Sequence, residues 1–199
     1  MDDIDSGILE EDRLRADVYD LLASTLRREP DRLLLAGLAR LQGDDSDLGR
    51  AFSALAAKAG TIDPEAARHE YLDLFIGLGR GELVPFASYY ITGFLNEKPL
   101  ATLRDDMERL GIARSDEVSE PEDSIAALCE MMAGLIRGRF LEVAPVKLQR
   151  AFFDRHLAPW AGPFFSDLEA AKSADLYAPV GTLGRLFMAI ERAAFDMEE

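Results

Sequence analysis

Ser119-Glu120-Pro121-Glu122-Asp123-Ser124-Ile125 opens the most periodic apolar stretch of the chain, with Leu128, Met132, Leu135 and Ile136 following at helical spacing. The stretch reads as a helix start several times over. Ser119 is placed to be an N-cap with Glu122 three residues later as a capping box, and Pro121 falls in the first turn, where no intrahelical N–H is needed. The acids suit the positive end of the helix dipole. A helix over 119–139 is the expectation. Capping leaves unexplained a second block upstream, Tyr71-Leu72-Asp73-Leu74-Phe75-Ile76-Gly77, followed by Pro85, Ser88 and Tyr89.

Outward from this stretch the periodicity stays helical. Leu14, Val18, Leu21, Leu22 and Leu26 predict a first helix over about 8–28, with Arg27-Arg28 at its C-terminus complementing the dipole and Glu29-Pro30 ending it. Leu33, Leu34, Leu38 and Leu41 share a side of a second helix. A third starts at Ser46, carries Leu48, Phe52, Leu55 and Ala59, and closes on Gly60. Asp63-Pro64 caps a fourth, with Ala67, Tyr71, Leu74 and Phe75 on one face. The glycine-rich segment 77–85 reads as a loop, after which 88–95 and 99–110 resume helices. Beyond 139, Val146 to Leu157, Trp160 to Leu168 and Leu183 to Ile190 mark the remaining helices. No strand pattern or internal repeat intervenes. The fold class is therefore all-α: a single compact bundle of roughly eight to ten helices. A polar hinge at about 112–121 separates an N-terminal half, about 8–111, from a C-terminal half, about 122–197.

Composition narrows the function classes. At 199 residues and 48% hydrophobic the chain is an ordinary globular sequence, and its net charge of -15 opposes nucleic-acid binding. No segment reaches the ~18 apolar residues of a membrane span, and the first twelve residues carry six acids and no base, unlike a secretory leader. A cytoplasmic protein is expected. The single cysteine, Cys129, sits on an apolar helix face as an inert thiol.

Enzymatic chemistry is thinly supplied. Neither His69 nor His156 has a Glu three residues before it, as a di-iron bundle requires, and no calcium loop is present, so no metal or cofactor is expected. The glycines of 77–85 follow a helix rather than a strand, which excludes a dinucleotide loop. Ser88 and Cys129 lack a nucleophile elbow, and His156 reads as a helix-end histidine, with a catalytic base as the remote alternative. Binding is better supported. Between 105 and 123 lie eight acids, Asp105, Asp106, Glu108, Asp116, Glu117, Glu120, Glu122 and Asp123, against Arg109 and Arg114. Beside an apolar groove exposing Tyr71, Tyr89, Phe94 or Met131, such a rim suits a peptide with arginines next to an apolar run. Core packing with a solvated acidic face is the competing reading.

The order Tyr71-x-x-Leu74-Phe75-x-Gly77, Pro85-x-x-Ser88-Tyr89, then Glu120-Pro121-x-Asp123 heading a helix resembles the TorD/DmsD family of redox-enzyme maturation chaperones. The likeness spans about 10–195, with Phe152-Phe153-x-x-His156-Leu157-x-x-Trp160 and Phe164-Phe165 similar to the family's later helices. It implies an all-helical, non-enzymatic chaperone. Such a chaperone binds the twin-arginine signal peptide, and the apo form, of a molybdopterin-type oxidoreductase subunit until its cofactor is inserted. Carried over, the signal-peptide site comprises Tyr71, Leu74, Phe75, Pro85, Ser88, Tyr89, Glu120, Pro121, Asp123 and Ser124, with Asp123 receiving arginine. The family commonly has histidine after this aspartate; here Ser124 stands instead, so no role that needs an imidazole transfers. A NarJ-like assembly factor gripping a mature or non-exported subunit is the alternative. Monomer and domain-swapped dimer are both compatible with the hinge.

Overall fold

In the computed structural model, residues 8–77, 79–114 and 120–197 are described. They form ten α-helices and two single-turn π-helical segments, with no strand among them. The helices are α1 (Glu10–Leu26), α2 (Arg32–Leu38), α3 (Asp47–Ala59), α4 (Pro64–Tyr71), α5 (Ala87–Thr92), α6 (Lys98–Arg109), α7 (Ile125–Arg137), α8 (Val146–Phe152), α9 (Ala161–Ala170) and α10 (Tyr177–Met197). The π-helical turns, Leu72–Ile76 and Phe153–Leu157, extend α4 and α8. No helix among the described residues is long and apolar enough to cross a membrane. The chain forms two compact units, one of Met1–Ser24 with Phe86–Pro159, the other of Thr25–Pro85 with Trp160–Glu199. Of the expected hinge at 112–121, residues 115–119 lie outside the described ones.

In the first unit α7 organises the packing. Ten of its thirteen residues are buried, the signature of an internal helix rather than a one-faced surface helix. Its C-terminal turn is held to α1 by Arg137, which pairs with Asp17 and Asp20, while Arg139 adds a 2.6 Å contact to Asp20. The start of α7 corrects the capping-box expectation. Ser124, not Ser119, is the N-cap: its hydroxyl accepts from the Ala127 N–H, and the helix begins at Ile125. The cause is tertiary. Ser124 pairs with Phe86 in an isolated antiparallel bridge, and the Ala87 N–H donates to the Asp123 carbonyl at 2.9 Å. Backbone held extended there cannot turn into helix earlier. Ser119 itself lies outside the described residues.

The second unit follows local signals closely. Ser46 caps α3 through the Gly49 N–H, Gly60 is its C-cap, and Asp63 accepts from the Glu65 and Ala66 N–H groups ahead of α4. Against α9, α10 packs at backbone range: a Cβ on Gly181 would lie 2.4 Å from the Glu169 nitrogen, and one on Gly184 2.3 Å from the Phe165 ring. Only glycine admits that approach. The buried Glu70 carboxylate accepts three backbone N–H groups, from Asp175 (2.7 Å), Leu176 (3.0 Å) and Tyr177 (2.8 Å), where the chain turns into α10. It supplies from α4 the cap that the sequence before α10 lacks. Near the N-terminus, α1 ends at Leu26, so Arg27 and Arg28 follow the helix rather than close it, and Arg28 pairs with Asp31 at 3.4 Å.

Glu70→Ala is expected to strand three donors, two of them buried, and to lower the free energy of urea unfolding by about 2–4 kcal/mol. Glu70→Gln, which keeps one acceptor oxygen, should lose less. Equal stability of all three proteins would show that the cap is not needed.

Candidate functional site

The residues before α7 and the first turn of α5 form one buried junction. Asp123 is 1% exposed, and its Oδ2 accepts from the Ser88 N–H at 2.7 Å and the Ser88 hydroxyl at 2.5 Å. Its Oδ1 is the one buried side-chain oxygen or nitrogen without a hydrogen-bond partner among the described residues. A buried carboxylate is tolerated only when bonded, so Ser88 is its structural counterpart and the free oxygen is an unused acceptor.

Asp123 lines a cavity of about 270 Å3. Ala87, Ile91 and Thr92 of α5, Lys98, Pro99, Thr102 and Leu103 of α6, Leu128 of α7, and Arg155 and His156 of the second π-helical turn complete it. The end of α5 and the turn that follows it leave apolar side chains uncovered: Phe94 is 70% exposed, and Ile91, still in the helix, and Leu95 are exposed as well. Ile91 belongs to both surfaces.

One wall is an ion network that the sequence does not advertise. Asp106 accepts from His156 Nε2 at 2.8 Å, Arg155 Nη1 at 2.8 Å and Arg109 Nη1 at 2.8 Å. Burial pushes the Asp106 carboxyl up, but its bonds to Arg155 and His156 outweigh that and hold it below its usual range. For His156 burial dominates and lowers the imidazole's affinity for a proton, against the pull of Asp106. Glu122 is likewise internal. Arg104 meets its Oε2 at 2.9 Å and Arg114 its Oε1 at 3.1 Å, which with its hydrogen bonding keeps the carboxyl low despite burial. Among the described residues no group of three or more histidine, cysteine or acidic side chains could hold a metal ion. Burial also pushes the Cys129 thiol up, so it stays protonated.

The ten expected site residues divide between the units. In the first, Ser88 and Asp123 touch, Ser124 caps α7, Tyr89 and Pro121 are half-buried and Glu120 is exposed. In the second, Leu74 is fully buried, and Tyr71, also buried, has its ring 5.0 Å from that of the half-buried Phe75, itself edge-on to Tyr177 at 5.4 Å. Pro85 is half-buried. Met131, expected in a groove, is buried core. The acidic rim is smaller than its composition suggests. Asp106, Glu122 and Asp123 face inward, Asp116 and Glu117 lie outside the described residues, and Asp105, Glu108 and Glu120 remain exposed. Asp123 offers a guanidinium one free oxygen, where a fork takes two. The partnership of Asp106 with His156 escaped the sequence reading because residues 50 apart meet only through tertiary packing, and nothing in the sequence marks Ile91 or Lys98 as lining a cavity.

Comparisons with known proteins place these elements in context. A family model described as nitrate reductase delta subunit matches residues 41–166. A chaperone protein TorD from Vibrio cholerae is 26% identical over 206 residues, covering 92% of each chain. A TorD chaperone from Photobacterium profundum is 29% identical over 138 residues, 65% of this chain and 64% of its own. Among solved structures, a protein assigned to redox enzyme maturation in Archaeoglobus fulgidus superposes with a TM-score of 0.59 at 21% identity, over 88% of this chain and 94% of its own.

The depressed affinity of His156 for a proton means that the folded state favours neutral imidazole. Its contribution is complete above the ordinary histidine value of 6.5 and is lost as pH falls through the lower folded value. Thermal unfolding followed from pH 8 downward should show the melting temperature falling just below pH 6.5, and His156→Gln should flatten that step. An unchanged step in the variant would assign it to other groups.

Proposed function

This chain belongs to the nitrate reductase delta subunit family, which includes the TorD chaperones, and we propose that it binds the twin-arginine signal peptide of an oxidoreductase subunit. In this reading it is a cytoplasmic maturation chaperone. It keeps the apo subunit from export while the subunit's own cofactor, of molybdopterin type, is inserted, and it holds no cofactor itself.

The observation that carries the reading is the uncovered apolar turn of Ile91, Phe94 and Leu95 beside the cavity, in a chain of net charge -15. A signal peptide presents adjacent arginines and an apolar run of about 7–15 residues. The run meets this turn. The exposed acids of the same unit, Glu120 first and then Asp105 and Glu108, attract the arginines, while Ser88, Tyr89, Pro121, Asp123 and Ser124 shape the ground beneath. In the other unit, Tyr71 is buried against the half-buried Phe75, with ring centroids 5.0 Å apart, Leu74 is buried and Pro85 is half-buried.

A second reading is a NarJ-like assembly factor that grips a mature or non-exported subunit, one without a functional arginine pair. Calorimetric titration separates the two. A synthetic signal peptide should bind about three- to tenfold more weakly when both arginines are alanine, an effect that shrinks as salt rises. Phe94→Ser should cost about tenfold or more through lost apolar contact. If the arginine pair makes no difference while Phe94 still matters, the assembly-factor reading stands and the twin-arginine one falls.

A further inference from the structure

We propose that the cavity beside Asp123 is an anchor pocket for one aromatic, hydrogen-bond-donating side chain, tyrosine or tryptophan, of the bound peptide. The proposal rests on the reading that this chain binds a peptide, and not on that peptide's arginines. Three properties of the pocket select this chemistry.

The first is the unused acceptor. Asp123 Oδ1 is buried and unbonded among the described residues, although a buried acceptor without a donor is costly, whereas Oδ2 is fully engaged by Ser88. The second is the wall around it. Ala87, Ile91, Pro99, Leu103 and Leu128 give an apolar lining, so the occupant's body is apolar. Its room, about 270 Å3, exceeds the roughly 150 Å3 that accommodates a benzene ring in a dry engineered cavity.

The third is charge. Lys98 and Arg155 line the cavity together with Asp123, and Arg155 and Arg109 both pair with Asp106, so the neighbourhood carries no surplus of negative charge. A lysine or arginine side chain gains little there, and an anion meets the Asp123 carboxylate. A neutral donor on an aromatic ring satisfies all three, because a phenol O–H or indole N–H sits at one end of an otherwise apolar body. The occupant belongs to a peptide because the apolar surface continues outward: Ile91 lines the cavity and is also exposed next to Phe94 and Leu95.

Short alanine–leucine peptides flanked by serines, with one guest position carrying tyrosine, tryptophan, phenylalanine or lysine, test this by calorimetry on the full chain. The tyrosine and tryptophan guests should bind about tenfold tighter than phenylalanine, with lysine weakest. In Asp123→Asn the amide oxygen takes over the Ser88 donors and presents an NH2 group instead, so the tryptophan guest, which donates but cannot accept, should fall to the level of phenylalanine, whereas tyrosine, whose hydroxyl also accepts, keeps part of its advantage. Thr102→Trp, at a half-buried wall position, should weaken every guest, and urea melts check that both variants fold. Should Asp123→Asn not fold, the guest preference of the unaltered chain decides alone. Equal binding of tyrosine and phenylalanine, tightest binding of lysine, or no binding of any guest overturns the proposal. A signal peptide that binds without needing its arginines leaves it intact.

Discussion

Burial of α7 on nearly every side is the constraint from which the first unit follows. A helix with ten of thirteen residues inside has its N-terminus inside as well, so its free N–H groups and the acidic residues before it must be answered by protein rather than water. Ser124 answers one of them by capping. Asp123 is then carried into the interior, and Ser88 receives it with two hydrogen bonds, which pins the first turn of α5 beside the start of α7. The cavity and its unused carboxylate oxygen are the geometric residue of that arrangement.

The chain's acidity has a similar inward component. Glu70 binds three backbone donors, Asp106 gathers His156 and two arginines, and Glu122 takes two more arginines. Each is a carboxylate whose burial would be prohibitive alone and is offset by charge-assisted bonds. Of the described acids between 105 and 123, Asp105, Glu108 and Glu120 remain outside, a thinner field than the composition of that run implies, and the same unit leaves Ile91, Phe94 and Leu95 exposed.

Much of the fold was legible because helix boundaries are local. Ser46, Gly60 and Asp63-Pro64 sit where caps were expected, and the apolar spacing located nearly every helix. Faces were less legible. Leu14 and Leu33 are exposed, whereas Ala16 and Tyr19 join the expected Leu22 and Leu26 on the buried side of α1, since which stripe turns inward depends on what packs against it. The glycines of α10 gave no warning that α9 would lie at backbone distance.

The sequence by itself determined an all-helical chain and the identity of its family, because periodicity, caps and the order of short motifs are written along one strand of residues. Tertiary structure alone decided where α7 begins, since the Phe86–Ser124 pairing overrode a sound local capping signal at Ser119. It also decided what Asp123 is. On paper an acidic rim residue waiting for arginine, it is a buried carboxylate half-spent on Ser88, because burial is set by neighbours distant in sequence and not by the residue's own chemistry.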